Sequence, residues 1–171
     1  MKNRIGAALL SIALSFPVAA AEFPAGDPIE INGMEVAGVY LQAVAMEPAQ
    51  EGDSGHADIH LEADIHAIEE NEHGLEAGAW VPYLNITYTL GKKGSDWKST
   101  GILLPMVAND GPHYGKNIKL DGPGKYELMY TVSPPALMRH VDKETAVAPW
   151  WQAFDYSGSF SFVGTGKKGG Y

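Results

Sequence analysis

The chain has 171 residues, a formal net charge of −9, no cysteine and a 45% share of hydrophobic residues. A domain of this size buries roughly 70% of the surface its unfolded chain exposes, so a core without disulfides suffices. The acidity excludes nucleic acid and anionic bilayers as partners. Lacking cysteine, the chain can hold a metal only through imidazole, carboxylate or thioether groups.

Lys2 and Arg4 precede an apolar run over 5–16, and Ala19-Ala20-Ala21 stands before Glu22. This pattern predicts a signal peptide over 1–21, and hence an exported protein. The run stops at Pro17, short of the roughly 20 apolar residues that a membrane span needs. Loss of Lys2 and Arg4 would take the net charge from −9 to −11.

Beyond Glu22, alternation with period two recurs between clusters of Gly, Pro, Asn and Asp, and helical periodicity is nearly absent. Strands are predicted over 34–44, 57–68, 81–90, 101–108, 125–132 and 154–162, with a short one near 29–31. Such a succession predicts an all-β single domain over 22–163, an immunoglobulin-like antiparallel β-sandwich. The tail over 164–171 has few apolar groups to pack.

Within the second long strand, His56, Asp58, His60, Glu62, Asp64 and His66 alternate with apolar residues. Strand geometry therefore places three imidazoles and three carboxylates on one face, with Ala57, Ile59, Leu61, Ala63, Ile65 and Ala67 on the other. A solvated face explains any one of these residues. The row as a whole is harder to explain that way, because neighbouring carboxylates repel and no Lys or Arg interrupts the run. A bound divalent cation would balance it, shared by same-face neighbours such as His60 and Glu62.

Met106 ends the strand over 101–108, and His113 is expected in the loop after it, held by Gly111-Pro112 and Gly115. A further proline-bearing loop holds Met138, Arg139 and His140, and Trp150-Trp151 read as packing anchors. His73, in an Asn-Glu-His-Gly turn, reads as an ordinary surface residue. Imidazole, carboxylate and thioether together favour copper on the affinity order and also suit iron or zinc. Gly52-Asp53-Ser54-Gly55 imitates a protease nucleophile loop, but no histidine precedes it.

The strings His60-Leu-Glu-Ala-Asp-Ile-His66, Trp80-Val-Pro-Tyr-Leu, Leu104-Pro-Met106-Val-Ala-Asn-Asp-Gly-Pro-His113-Tyr-Gly, Leu137-Met-Arg-His140 and Asp142-Lys-Glu-Thr, with Trp150-Trp151, occur in that order along the chain. In these blocks the chain resembles the periplasmic high-affinity iron-transport proteins of the FetP type. The resemblance implies an immunoglobulin-like sandwich, a homodimer, a copper ion with an iron ion as second metal, and service to an inner-membrane iron permease. It further implies the ligand set His60, Glu62, Met106, His113 and His140, with His66 as a neighbouring or second-metal residue. The Pro-Pro-Ala approach to Leu137 is shorter than the family's loop, which bears on how far His140 reaches.

The expected role is that of a non-enzymatic metal carrier in iron uptake. A periplasmic copper-binding or copper-resistance protein would use the same ligands. So would a copper-dependent ferrous iron oxidase.

Overall fold

In the computed structural model, which describes residues 21–49 and 55–164, the period-two segments form nine strands and no helix among the described residues. They are β1 (Phe23–Pro24), β2 (Ile29–Ile31), β3 (Met34–Gln42), β4 (Ile59–Ala67), β5 (Asn85–Lys92), β6 (Lys98–Ala108), β7 (Gly111–Ile118), β8 (Gly124–Ser133) and β9 (Phe154–Phe162). The signal peptide, apart from Ala21, the Gly52–Ser54 stretch and the tail beyond Gly164 lie outside the described residues.

Every pairing is antiparallel, in the order β1-β3-β4-β7-β6-β5-β8-β9, with β2 also on β3. The long β6 makes this continuous: residues 98–103 pair with β5, and residues 104–108 pair with β7. The sheet thereby curls until its ends nearly meet. Tyr40 of β3 packs on Phe160 of β9, ring centres 4.4 Å apart. At the same seam Gly158 lies against Ala25 and Gly26 so closely that a Cβ on it would stand 2.2 Å from the Ala25 carbonyl oxygen. Only glycine fits this close approach of backbones. The result is an antiparallel sheet nearly closed into a barrel.

Its interior is filled from every strand but the shortest. Met34, Val36, Leu61, Ile65, Ile86, Leu90, Leu103, Tyr114, Tyr126, Tyr130 and Tyr156 are almost fully buried. Buried tyrosines need partners for their hydroxyls. Tyr130 donates to the Glu62 carbonyl oxygen at 2.8 Å, and Tyr156 accepts from the Gly38 N–H at 3.2 Å. Tyr114 donates to the Val81 carbonyl oxygen and accepts from the Leu84 N–H, at 2.8 and 2.9 Å. Burial pushes its phenol up to about 12.

The elements depart from the expected ones at instructive places. The strand expected over 81–90 begins only at Asn85, because residues 81–84 wrap the Tyr114 hydroxyl, with Tyr83 at a left-handed φ of 60°. The strand expected over 34–44 stops at Gln42, since Val44 spends its N–H and carbonyl on the Asn117 side chain. The largest correction concerns 109–115, expected as a loop. Gly111–Ile118 is strand β7, joined to β6 by the two-residue turn Asn109-Asp110. Turn-forming residue types concealed a strand whose pairing on both sides supplies what local propensity lacks.

Candidate metal centre

The site grows from the alternation in β4. Its odd residues Ile59, Leu61, Ala63, Ile65 and Ala67 face the core, as expected. Its even residues are not a solvated row. His60 and Glu62 are 1% and 6% exposed, because β3 and β7 flank the strand and a wall of chain covers its outer face. Asp58, expected to lack a counter-charge, pairs with Lys119 Nζ at 2.8 Å and accepts the Leu120 N–H. His56 is exposed, before the start of β4.

Register then brings β4, β7 and β6 together on that outer face. Glu62 stands opposite Gly115, and His60 opposite Asn117. Met106 stands opposite His113, and Leu104 opposite Gly115. Cross-strand partners share a face, so His60 and Glu62 of one stretch of sequence meet Met106 and His113 of another around Gly115. The Glu62 Oε1 lies 3.5 Å from His60 Nε2 and 3.4 Å from His113 Nε2. One ligand atom from each of His60, Glu62 and His113 lies within 4.8 Å of the others. Met106 joins them: a Cβ on Gly115 would sit 2.5 Å from His60 Nε2 and 3.2 Å from Met106 Sδ.

These donors fit a metal ion. His113 Nε2 is buried and makes no hydrogen bond, which costs free energy unless something else engages it. Donors each about 2.1 Å from one ion stand 3–4 Å apart, the spacing seen here. Two imidazoles, a carboxylate and a thioether suit copper, iron or zinc better than calcium or magnesium. A cavity of about 770 Å³ opens over them, walled by Leu41, Val44, Met46, Leu104, Val107 and Asp110.

The electrostatics favour a cation. Burial, then the charges of Asp64, Glu22 and Asp110, push the Glu62 carboxyl up to about 8. Burial and neighbouring acids also raise Asp64 and Glu22. Asp64 and His66 line a second cavity that shares Glu22, Glu62, Asp110 and His113 with the first. His66 thus stands beside the cluster, opposite Glu35 and bridged to Trp80.

His140 is not brought to the cluster within one chain. It lies exposed between β8 and β9, its Nδ1 2.7 Å from Thr145 Oγ1 and 3.8 Å from Asp142 Oδ2. The segment around it is tied to itself, Arg139 donating to the Val147 carbonyl and Trp150 to that of Leu137. His73 is no ordinary surface residue: it is half-buried, 5.2 Å from Trp150 and 5.0 Å from Trp151 between ring centres.

Sequence reasoning gave no site role to Glu22, Asp110 and Asn117, and took Gly115 only as a flank of a loop around His113, with no part in a strand. Gly115 and Asn117 continue the same-face series 113, 115, 117, a signal available once β7 is read as a strand.

Fold and site together define a small antiparallel β-protein with two buried histidines and a buried carboxylate on one outer face, beside a half-buried thioether. Residues 19–164 match the family model described as Fe2+ transport protein, and the chain belongs to that family. A relative from Brucella abortus known as a UPF0423 protein is 49% identical over 171 residues, covering 95% of this chain and 93% of its own. Among solved structures, FetP of uropathogenic Escherichia coli strain F11 matches with a TM-score of 0.78 at 49% identity, covering 84% of this chain and 97% of FetP. The copper-reconstituted P19 protein of Campylobacter jejuni matches with a TM-score of 0.80 at 46% identity, covering 86% and 99%. The chain is thus a member of that family whose sequence and fold are similar to those of FetP and of P19, a protein solved with copper.

Proposed function

We propose that this chain is a copper- and iron-binding carrier, not an enzyme, exported by a cleaved signal peptide to serve high-affinity iron uptake with an inner-membrane iron permease. The observation that carries this reading is the convergence of His60, Glu62 and His113 beside Met106, with the His113 Nε2 buried and making no hydrogen bond. Copper is the first metal because the affinity order of divalent ions peaks there for nitrogen and oxygen donors. Copper-reconstituted P19 supports that choice, and the Fe2+ transport family supports iron.

The reading includes a homodimer and the immunoglobulin-like description of the fold, in which β6 passes from one sheet to the other after Leu103. A second copy is also how the exposed His140 would enter a site as ligand. Among the described residues no helix is long and apolar enough to cross a membrane.

Titration of the metal-free protein with cupric ion tests the reading. Saturation near one equivalent per chain, lost in His60→Ala and His113→Ala, is expected, together with copper and iron in protein purified from its own periplasm. Unchanged affinity in both variants removes the site. Oxygen consumed through many turnovers with ferrous ion would replace the carrier by an oxidase.

A further inference from the structure

The Asn117 side chain meets three groups at once. Its Nδ2 donates to the Val44 carbonyl oxygen at 2.7 Å, and its Oδ1 lies 3.2 Å from the Val44 nitrogen and 2.9 Å from His60 Nδ1. Only one orientation of the amide satisfies this set. Turned over, it would set an NH2 group against the Val44 N–H and an oxygen against the Val44 carbonyl, and both contacts would repel. With the orientation fixed, the Oδ1 can only accept. The proton of a neutral His60 therefore resides on Nδ1, and Nε2 presents its lone pair toward Glu62 and Met106.

We propose that Asn117 is the positioning residue of the metal centre: it sets the His60 tautomer and ties that ligand to the segment walling the cavity. Histidine ligands generally give their second N–H to an acceptor that fixes ring orientation and raises the basicity of the ligating nitrogen. Asn117 stands directly opposite His60 in the β4–β7 ladder, so both ends of this contact are set by strand register. The same amide clamps Val44 through two bonds, two residues before Met46, whose side chain belongs to the lining of the cavity. Ligand and wall are thereby fastened at one point.

The inference rests on the metal-binding reading for its purpose, but its geometry is testable without metal. In 15N-labelled metal-free protein at pH 8, long-range proton–nitrogen correlation spectra should give His60 the pattern of a proton on Nδ1. Asn117→Asp keeps the acceptor and should keep that tautomer, with cupric affinity within about threefold. Asn117→Leu removes the acceptor, so His60 should populate the Nε2–H form and cupric affinity should fall about tenfold to hundredfold. Copper binding is measured by competition with a cupric chelator on folded protein, and the wild-type spectrum needs no variant to fold.

A His60 proton on Nε2 in the wild type overturns the inference. So does an equal loss of affinity in both variants with the tautomer unchanged, the behaviour of a residue that only packs. If the wild type has the Nδ1 proton yet binds no copper, the metal reading fails while the positioning stands. Tight copper binding by a wild type with the Nε2 proton leaves the metal reading and removes only the role of Asn117.

Discussion

The Nε2 of His60 lies 2.5 Å from the point where a side chain on Gly115 would begin. The two residues come from neighbouring strands, and the absent Cβ is what lets the imidazole lean over the sheet toward Met106, whose Sδ is 3.2 Å from the same point. Gly115→Ala should therefore displace His60 or Met106. Cupric affinity is expected to drop at least tenfold while the far-ultraviolet circular dichroism stays that of a β-protein. Calorimetric titration of wild type and variant checks this, and equal affinities would mean that His60 Nε2 does not serve the site.

A carboxyl raised from 4.5 to about 8 makes the metal-free fold sensitive to pH. Between those values the native state holds a proton on Glu62 that the unfolded chain has released, so stability is full below about 4.5 and is lost as pH rises through about 8. The buried carboxyl should cost the metal-free protein on the order of 3 kcal/mol across that window. Urea unfolding at pH 5 and pH 8.5 is the measurement. Wild type should weaken with rising pH and Glu62→Gln should lose most of that slope, whereas parallel slopes would place the Glu62 titration near its ordinary value.

Metal loading should reverse the trend. The ion needs Glu62 ionised, so binding at pH 7 should release close to one proton from that carboxyl. Cupric titrations in two buffers of different ionisation enthalpy count it. Glu62→Gln should release none from this position.

The Met106 thioether should matter more for cuprous than for cupric ion, because soft sulfur prefers the softer ion. In Met106→Gln, cupric affinity should fall about threefold or less and cuprous affinity tenfold or more. Paired competition titrations with one cuprous and one cupric chelator decide. Equal losses would reduce Met106 to a packing residue at the side of the cavity.

Tyr114 has no donor atom in the centre, yet its hydroxyl holds the Val81 carbonyl and the Leu84 N–H, and its ring packs on Trp80 at 5.0 Å. Tyr114→Phe strands both backbone groups in the core, at a cost of about 2–4 kcal/mol. Denaturant unfolding should show that loss with copper stoichiometry preserved. A variant as stable as wild type would mean that water replaces the hydroxyl.

Much of this protein was legible in its sequence. The alternation His56 to Ala67 assigned β4 and its core face, because a side-chain period of two is a property of the strand itself. The same row offered His60 and Glu62 as same-face neighbours, the end of the next-but-one strand offered Met106 with His113, and the match to a family's strings selected these four and His140 as the ligand set. The tertiary structure alone decided the rest. That β7 is a strand follows from ladders on both sides, which overrule the turn propensities of Gly111, Pro112 and Gly115. That His60 and Glu62 are buried follows from β3 and β7 closing on β4. Asp58 finds Lys119, and His60 finds Asn117, across sequence separations that no local pattern encodes. Composition and period set which faces exist; register between distant strands decides which side chains meet, because it depends on pairings the chain makes only once it has folded.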